Sequence, residues 1–376
     1  MSRLIKPGAT IGIIGGGQLG RMMAVAAKQM GYKIAVLEPT ADSPCGQVAD
    51  IVIEANYDDR KAAEQLASVS DVITYEFENI DEQTANWLAD HADFPQGAKV
   101  LGITQHRLME KEAIKELGIP VAPFQAIYDV EDTDKAQELI GFPAVLKTCR
   151  GGYDGKGQRV VHNSDELKQA SGELLMHGEC VLEAWIPFDL ELSVIVTRSR
   201  NGEAAVFPVA ENDHRDNILY RSSVPAKIKD ETFERAKEIA MTLVSKLDVV
   251  GTLAVELFML EDGSLYVNEL APRPHNSGHY TIEACETSQF EQHIRAVCGL
   301  PLGPTTLRTP VVMENILGEQ LEDILAASSR LAEVKLHLYG KKEAKAKRKM
   351  GHLTATAGTV EEACEKLARL LGSDNS

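Results

Sequence analysis

Asp262-Gly263 lies between two mostly apolar runs, Gly251–Leu260 and Leu265–Leu270. A two-residue turn of this kind between strand-like segments is a strong short-range hairpin signal. Centred there, the hairpin sets Glu256 directly opposite Glu269, both on one face of the sheet. Like charges directly opposite each other destabilise a strand pair, and most neighbours of these two are apolar. A divalent cation resolves the conflict. Mg2+ keeps part of its water shell and takes few protein ligands, so two carboxylates and the phosphates of a nucleotide suffice to hold it. A shifted register, or two acids at a wet sheet edge, is the competing reading.

Pro143 to Val161 reads as strand, glycine-rich loop, strand. Ala144–Cys149 is a short apolar run. Gly151, Gly152, Gly155 and Gly157 then crowd together before Arg159–Val161 resume β-type sequence. Glycines at that density let backbone N–H groups approach an anion closely. Lys147 on the incoming strand and Lys156 in the loop add two cations. A flexible flap over nucleotide phosphates fits, and a mobile hairpin tip is the alternative. The stretch is not a Walker A loop: no GxxxxGK[ST] register is present, and a strand follows rather than a helix.

A second glycine cluster stands near the N-terminus. Ile11–Ile14 is a buried-strand run, followed by Gly15-Gly16-Gly17-Gln18-Leu19-Gly20, a helix from Arg21 to Met30, and a strand Lys33–Leu37 ending at Glu38. Read mechanically, this is a dinucleotide fingerprint. Its physical content is only a tight turn and a helix N-terminus that offer N–H groups to a phosphate. Any phosphorylated ligand satisfies it, a nicotinamide dinucleotide or a sugar phosphate alike, and so does a tight turn with no ligand. The βα alternation continues through Asp50–Glu54, Arg60–Ala67 and a strand Asp71–Phe77. Strand C-termini in open parallel sheets face the ligand crevice, which places Tyr75, Glu76 and Glu78 near the glycine turn. A helix Gln105–Leu117 and the prolines Pro120 and Pro123 lead into the next domain.

The middle of the chain mixes strands and helices. Ser164 is the expected N-cap of a helix to about Leu175. Cys180–Ile186 and Glu191–Thr197 read as strands, with Glu183 placed to accept from an adenine amino group and Glu191 from ribose hydroxyls. Phe233 to Leu247 is an amphipathic helix. Directly after the second hairpin strand, Ala271–His279 is an irregular loop that carries Arg273, His275 and Asn276 beside the proposed metal. From Pro301 the sequence becomes a small β-rich unit with one closing helix, Val360–Leu371.

The net charge of −17 argues against a nucleic-acid or anionic-membrane binder. Cations in such a chain are informative where they concentrate, and Lys341, Lys342, Lys345, Lys347, Arg348 and Lys349 form one island. It is a solvated basic loop or a phosphate clamp over the active site. The six cysteines form no CxxC, so free thiols in a reducing cytosol are expected. No signal sequence or membrane-length apolar run is evident.

Lys147, the GGYDGKGQ flap, Glu183-Ala-Trp-Ile, Glu191, Glu256 and Asn268-Glu269 together resemble the ATP-grasp ligases. The strings IGIIGGGQLGRM, YEFENI, NELAPRPHNSGH and YGKKEAKAKRKMGH resemble the branch of that family in bacterial purine biosynthesis that carboxylates aminoimidazole ribonucleotide. The resemblance covers nearly the whole chain. It implies an α/β ATP-grasp architecture: a Rossmann-like parallel-sheet domain over 1–105, a central α+β ATP-grasp domain over 106–300 with its flap at 143–161, and a small β-rich domain over 301–376. It implies ATP and Mg2+, with bicarbonate phosphorylated to carboxyphosphate before the amine is carboxylated. Arg107, Lys147 and the flap Gly152, Tyr153, Asp154, Gly155, Lys156, Gly157 and Gln158 would hold the phosphates. Glu183, Ala184, Trp185, Ile186, Glu191 and His214 would hold adenine and ribose, and Glu256, Glu269 and Asn268 the Mg2+. Gln18, Tyr75, Glu76, Asp154, Arg273, His275, Lys341 and Arg348 would line the ribonucleotide and bicarbonate site. Asp154, Arg273 and His275 are the implied catalytic residues, with Asp154 at the substrate amine and Arg273 on carboxyphosphate. Many ATP-grasp proteins carry Lys where this chain has Arg107, which keeps the charge but changes the contact geometry. A cytoplasmic homodimer that binds neither nucleic acid nor membrane is the expected form.

Overall fold

The computed structural model describes residues 3–152 and 155–371. The chain begins with a four-stranded parallel sheet of β1 (Thr10–Ile14), β2 (Lys33–Leu37), β3 (Ile51–Ile53) and β4 (Val72–Tyr75), in the order β3-β2-β1-β4. Ile11, Ile13 and Ile14 are all fully buried, as expected where helices cover both faces of a parallel sheet. One of those covering helices comes from far along the chain. Phe290, Ile294 and Val297 of the helix Gln289–Cys298 pack into the same core as Ile11, Ile13 and Met23.

A second, antiparallel sheet holds β5 (Phe124–Ile127), β6 (Ala144–Thr148), β7 (Gln158–Val161) and β8 (Cys180–Ala184), in the order β5-β8-β6-β7. The glycine-rich stretch joins β6 to β7, with Lys147 paired to Gln158. The helix after β7 spans Ser164–Leu174, and its N-cap is Asn163, whose side chain accepts from the backbone N–H of Glu166 at 3.0 Å. That corrects the expectation of Ser164. Asn and Ser cap equally well, so residue type did not separate them.

The third sheet carries β9 (Leu190–Arg198), β10 (Ala204–Val206), β11 (Ala210–Arg215), β12 (Ile218–Val224), β13 (Gly251–Met259), β14 (Leu265–Ala271), β15 (Val311–Leu317), β16 (Lys335–Leu338) and β17 (Lys349–Thr356). Their order is β14-β13-β9-β11-β12-β15-β17-β16, with β10 beside β9. The C-terminal strands thus extend the central sheet through β12–β15 pairing, Arg221 opposite Glu314. The C-terminal segment also holds a short helix, Leu321–Ala326, beside the closing helix Val360–Leu371, so it has more than the one helix expected. The amphipathic helix Asp230–Lys246 buries Ala236, Ile239, Ala240, Leu243 and Val244 in the core beneath β9 and β13.

Glu256 does face Glu269 across β13 and β14, but by a different route from the two-residue turn. Met259 pairs with Leu265, and the turn is Glu261-Asp262-Gly263, closed by the Ser264 carbonyl accepting from Leu260 N–H at 2.9 Å. That turn alone would shift the register by one residue. A β-bulge shifts it back: Leu257 pairs with Val267 while Glu256 pairs with Glu269, leaving Asn268 as the extra residue. Bulges re-aim side chains next to functional sites, and here Asn268 and Glu269 both line the same cleft.

All six cysteines are unpaired, and five are buried. Among the described residues no helix is long and apolar enough to cross a membrane.

Gly263 sits at φ +86°, and a Cβ there would lie 3.0 Å from Thr232 Oγ1. Gly263→Ala should therefore cost about 1–2 kcal/mol of stability in urea unfolding while leaving activity unchanged, because the turn is remote from the cleft. An unaltered unfolding midpoint would contradict this turn geometry.

Candidate active site

A cleft of about 800 Å³ opens where the three sheets meet. Its charged side is built on the helix Arg107–Glu116. Arg107, in the first turn, sends one guanidinium nitrogen to Glu269 Oε2 at 3.4 Å and donates the other to the carbonyl of Gly152 at 3.1 Å. One helical turn further, Glu110 and Lys111 are buried. Glu110 accepts from the backbone N–H of Leu270 at 2.8 Å, and burial together with the charge of Glu269 pushes its carboxyl up to about 8.

Glu183 lines the cleft and carries a partnership that its sequence position did not reveal. Its Oε2 is shared by two ammonium groups, Lys147 at 3.0 Å and Lys111 at 3.1 Å. Burial alone would raise this carboxyl, but the charges of Lys111 and Lys147 outweigh it and hold it down at about 2. Glu183 is thus the counter-ion that fixes Lys147 through Oε2, while its buried Oε1 has no hydrogen-bond partner and is open to a donor in the cleft. Lys111 was missed from the sequence. The signal was present: Arg107, Glu110, Lys111 and Ile114 share one helical face, and three charges on a face that must pack imply a site.

Glu256 and Glu269 stand together as the cleft's acidic centre. Burial, then the charge of Glu269, pushes the Glu256 carboxyl up to about 8, against the opposing charge of His214. His275 Nε2 lies 3.3 Å from Glu256 Oε1, and its Nδ1 lies 2.9 Å from Ser277 Oγ. Burial and the charge of Arg273 hold that imidazole well below its ordinary range, so it is neutral at pH 7. His214 is raised: burial lowers it, but the Glu191 carboxylate at 3.0 Å outweighs that. Among the described residues no group of three or more His, Cys, Asp or Glu converges as a complete metal cage. Two carboxylates and the Asn268 amide offer an all-oxygen set that leaves positions for phosphate and water, which fits Mg2+.

The flap closes one wall. Gly152, Gly155, Lys156 and Gln158 line the cleft. Gly157, at φ +71°, would place a Cβ 2.7 Å from Thr148 Oγ1, so its hydrogen is a packing requirement. Tyr153 and Asp154 lie outside the described residues. The apolar wall carries Ala184, Trp185, Ile186 and two residues the sequence reading did not single out, Phe188 and Phe258. Their rings stack at 4.5 Å and 5°. Strand alternation puts Phe258 on the same face as Glu256, which was the available clue.

At the opposite end stand Gln18, Glu76, Glu78, Arg273, His275, Asn276 and Lys349. Arg273 is paired with Glu78 at 2.6 Å. Tyr75 is not there. It is fully buried in the core of the parallel sheet, because its position in β4 turns it to the inner layer. Lys341 and Arg348 do not line the cleft either. Lys341 Nζ donates to the Lys349 carbonyl at 2.7 Å, and Arg348 donates to the Glu343 carbonyl at 3.0 Å. Lys349, at the start of β17, is the residue of that island at the wall.

The glycine turn after β1 is also corrected. Gly17 and Gly20 N–H donate to the two oxygens of Glu76, and Gly16 N–H donates to Glu38 Oε2 at 2.7 Å. The chain's own carboxylates occupy these donors, where a phosphate was expected.

Three family models cover the chain. The ribonucleotide synthetase preATP-grasp domain matches residues 8–105, the ATP-grasp domain 112–290, and the phosphoribosylaminoimidazole carboxylase C-terminal domain 311–366. The N5-carboxyaminoimidazole ribonucleotide synthase of Bacillus subtilis is 57% identical over 352 residues, 94% of this chain and 92% of its own length. This chain belongs to that family of ATP-grasp ligases. The N5-carboxyaminoimidazole synthetase of Staphylococcus aureus, solved with ADP, superposes with a TM-score of 0.93 at 45% identity, covering 98% of both chains. The Aspergillus clavatus N5-carboxyaminoimidazole synthase, solved with ADP and 5-aminoimidazole ribonucleotide, superposes at 0.90 with 33% identity, covering 97% of this chain and 98% of its own. For a synthase of this family the acidic centre, the flap and the cleft form a coherent set.

The raised Glu256 carboxyl has a consequence for pH. A carboxyl with its folded value above its unfolded one contributes stability below about pH 4.5 and loses it as pH rises to about 8. Glu256→Gln mimics the protonated form. Without Mg2+ or nucleotide, its thermal midpoint should exceed that of the parent by a few degrees at pH 8 and by much less at pH 5. A difference that does not change with pH would contradict the burial of this charge.

Proposed function

We propose that this protein uses ATP and bicarbonate to carboxylate the amine of 5-aminoimidazole ribonucleotide, forming 5-(carboxyamino)imidazole ribonucleotide, ADP and phosphate. The observation that carries this reading is the single cleft in which Glu256, Asn268, Glu269, Arg107 and Lys147 meet Arg273, His275 and Lys349. It has room and charge for a nucleotide and a second anionic substrate side by side. A relative of the same fold has been solved with ADP and aminoimidazole ribonucleotide, which supports the same pair of ligands here.

In this reading a bicarbonate oxygen attacks the γ-phosphorus and ADP leaves, giving carboxyphosphate. The substrate amine then attacks the carboxyl carbon, or CO2 released from it. The carbon–oxygen bond to phosphate breaks, and the amine gives up a proton. Phosphoryl transfer asks mainly for positioning and for cations around developing charge. Lys147, held in place by Glu183, and Arg107, held by Glu269 and the Gly152 carbonyl, supply that charge. Mg2+, held by Glu256, Glu269 and Asn268, would supply further charge neutralisation on the phosphates. The backbone at Ala184–Ile186 and the Phe188–Phe258 wall suit adenine, and the Glu191–His214 pair suits ribose hydroxyls. Arg273 is assigned to carboxyphosphate and neutral His275 to fixing Glu256 and the bicarbonate. Asp154 is assigned to the amine. Carboxyphosphate is short-lived in water, so a flap that excludes solvent is part of the chemistry. The basic segment, through Lys349 with Lys341 and Arg348 flanking it, is assigned to the ribonucleotide phosphate.

ADP release should require ATP, bicarbonate and aminoimidazole ribonucleotide together, as a coupled assay omitting each in turn will read. Strong turnover with glycine and phosphoribosylamine instead would refute the assignment. Glu269→Gln should lower turnover at least about 10²-fold in a folded chain; near-normal ADP release would remove it as a metal ligand. Lys349→Ala should raise the KM for the ribonucleotide and leave that for ATP within about twofold, since exposed and half-buried phosphate contacts contribute mainly to binding of the anion they touch.

A further inference from the structure

Between the Ala271–His279 loop and the basic segment stands a column of imidazoles for which the carboxylation chemistry has no use. His337 and His352 are register partners across β16 and β17. Their rings stack at 4.5 Å with planes 12° apart. His352 also meets His279, with ring centroids 4.7 Å apart. The Tyr339 hydroxyl and His352 Nδ1 share a hydrogen bond of 2.9 Å, and His337 Nε2 lies 2.6 Å from Glu283 Oε1.

Both ends of the column are tied to the cleft. His279 closes the loop that carries Arg273 and His275, and its Nδ1 lies 3.4 Å from Gln289 Nε2. Gln289 in turn accepts from His275 N–H at 2.9 Å and donates to the His275 carbonyl at 2.7 Å. At the other end, Tyr339 opens the stretch that carries Lys341 and Arg348 and rejoins β17 at Lys349, with Tyr339 N–H donating to Met350 O at 2.9 Å.

Stability does not call for this arrangement. His279 and His352 are fully buried, yet the Nε2 of each has no hydrogen-bond partner. An unsatisfied buried polar atom is costly, and phenylalanine would avoid it. Side chains that break a local rule without a compensating contact concentrate at functional sites.

We propose that His352, together with Tyr339, is a positioning residue for the ribonucleotide: the His337–His352–His279 column sets the height of the 341–349 segment over the active-site loop, so that Lys349 meets the ribonucleotide phosphate while Arg273 holds the carboxyphosphate beside it. This rests on the carboxylation reading above. It acts through other residues, and none of the column's own rings lines the cleft.

The test is steady-state ADP release by His352→Phe and Tyr339→Phe, with ATP and ribonucleotide varied separately. His352→Phe keeps a flat ring of similar size and deletes the bond to Tyr339. Its KM for the ribonucleotide should rise about five- to tenfold, the scale of one lost hydrogen bond, and that of Tyr339→Phe about threefold. The KM for ATP and kcat should stay within about twofold. A ribonucleotide KM within twofold of the parent in a folded variant, or a parallel rise in both KM values, overturns the proposal. If His352→Phe does not fold, Tyr339→Phe, which deletes a single oxygen, decides alone. A parent enzyme that releases no ADP with these substrates refutes the carboxylation reading; an active parent with unchanged variants refutes only the column.

Discussion

Two carboxylates, Glu256 and Glu269, share one face of one strand pair, and the surrounding side chains are arranged around that repulsion. Arg107 reaches one acid, and His275 touches the other. Burial, with the charge of Glu269 added, pushes neighbouring Glu110 towards its neutral form. A fold selected only for stability would have placed an apolar pair there. The acids persist where stability argues against them, and that is the mark of a site built for a ligand that brings its own countercharge.

The cations opposite are organised by the converse logic. Lys111 is buried and Lys147 partly buried against Glu183, and a buried charge is tolerated when it is paired and held. Glu183 thereby fixes the position of Lys147 before any phosphate arrives. Elsewhere on the same cleft's rim, the glycine turn after β1 has its donors engaged by Glu38 and Glu76. The same local geometry that recruits phosphate elsewhere is used here to anchor two acids of the parallel sheet's rim.

How far the site could be read from residues depended on the distance of the partners. Glu256 opposite Glu269 was legible, although a three-residue turn and a bulge at Asn268 produced it where a two-residue turn was expected; two deviations cancelled. The parallel first sheet and the flap followed from local pattern, because burial and glycine spacing are local signals. The lysine partners of Glu183 were not legible because they come from a helix over seventy residues earlier and from the neighbouring strand β6, and no local pattern encodes that meeting. Tyr75 and the glycine turn were misread for a related reason. Position at a strand end shows proximity to a crevice, not which way a ring turns or whether a neighbouring acid has already taken the donors. Lys341 and Arg348 were chosen from an island whose charge was clear, while the side chain that reaches the wall, Lys349, is set by where β17 begins.

The pairing of β12 with β15 runs the central sheet straight into the C-terminal segment. That segment is consequently not a detachable appendage. Cutting the chain before Val311 would bare a row of unsatisfied amides and carbonyls along β12, an edge prone to recruit any free strand, including one from a neighbouring molecule. Chimeras between relatives would meet the same demand: a transplanted C-terminal segment must reproduce the Arg221–Glu314 alignment residue for residue, or every side chain beyond the junction turns to the wrong face.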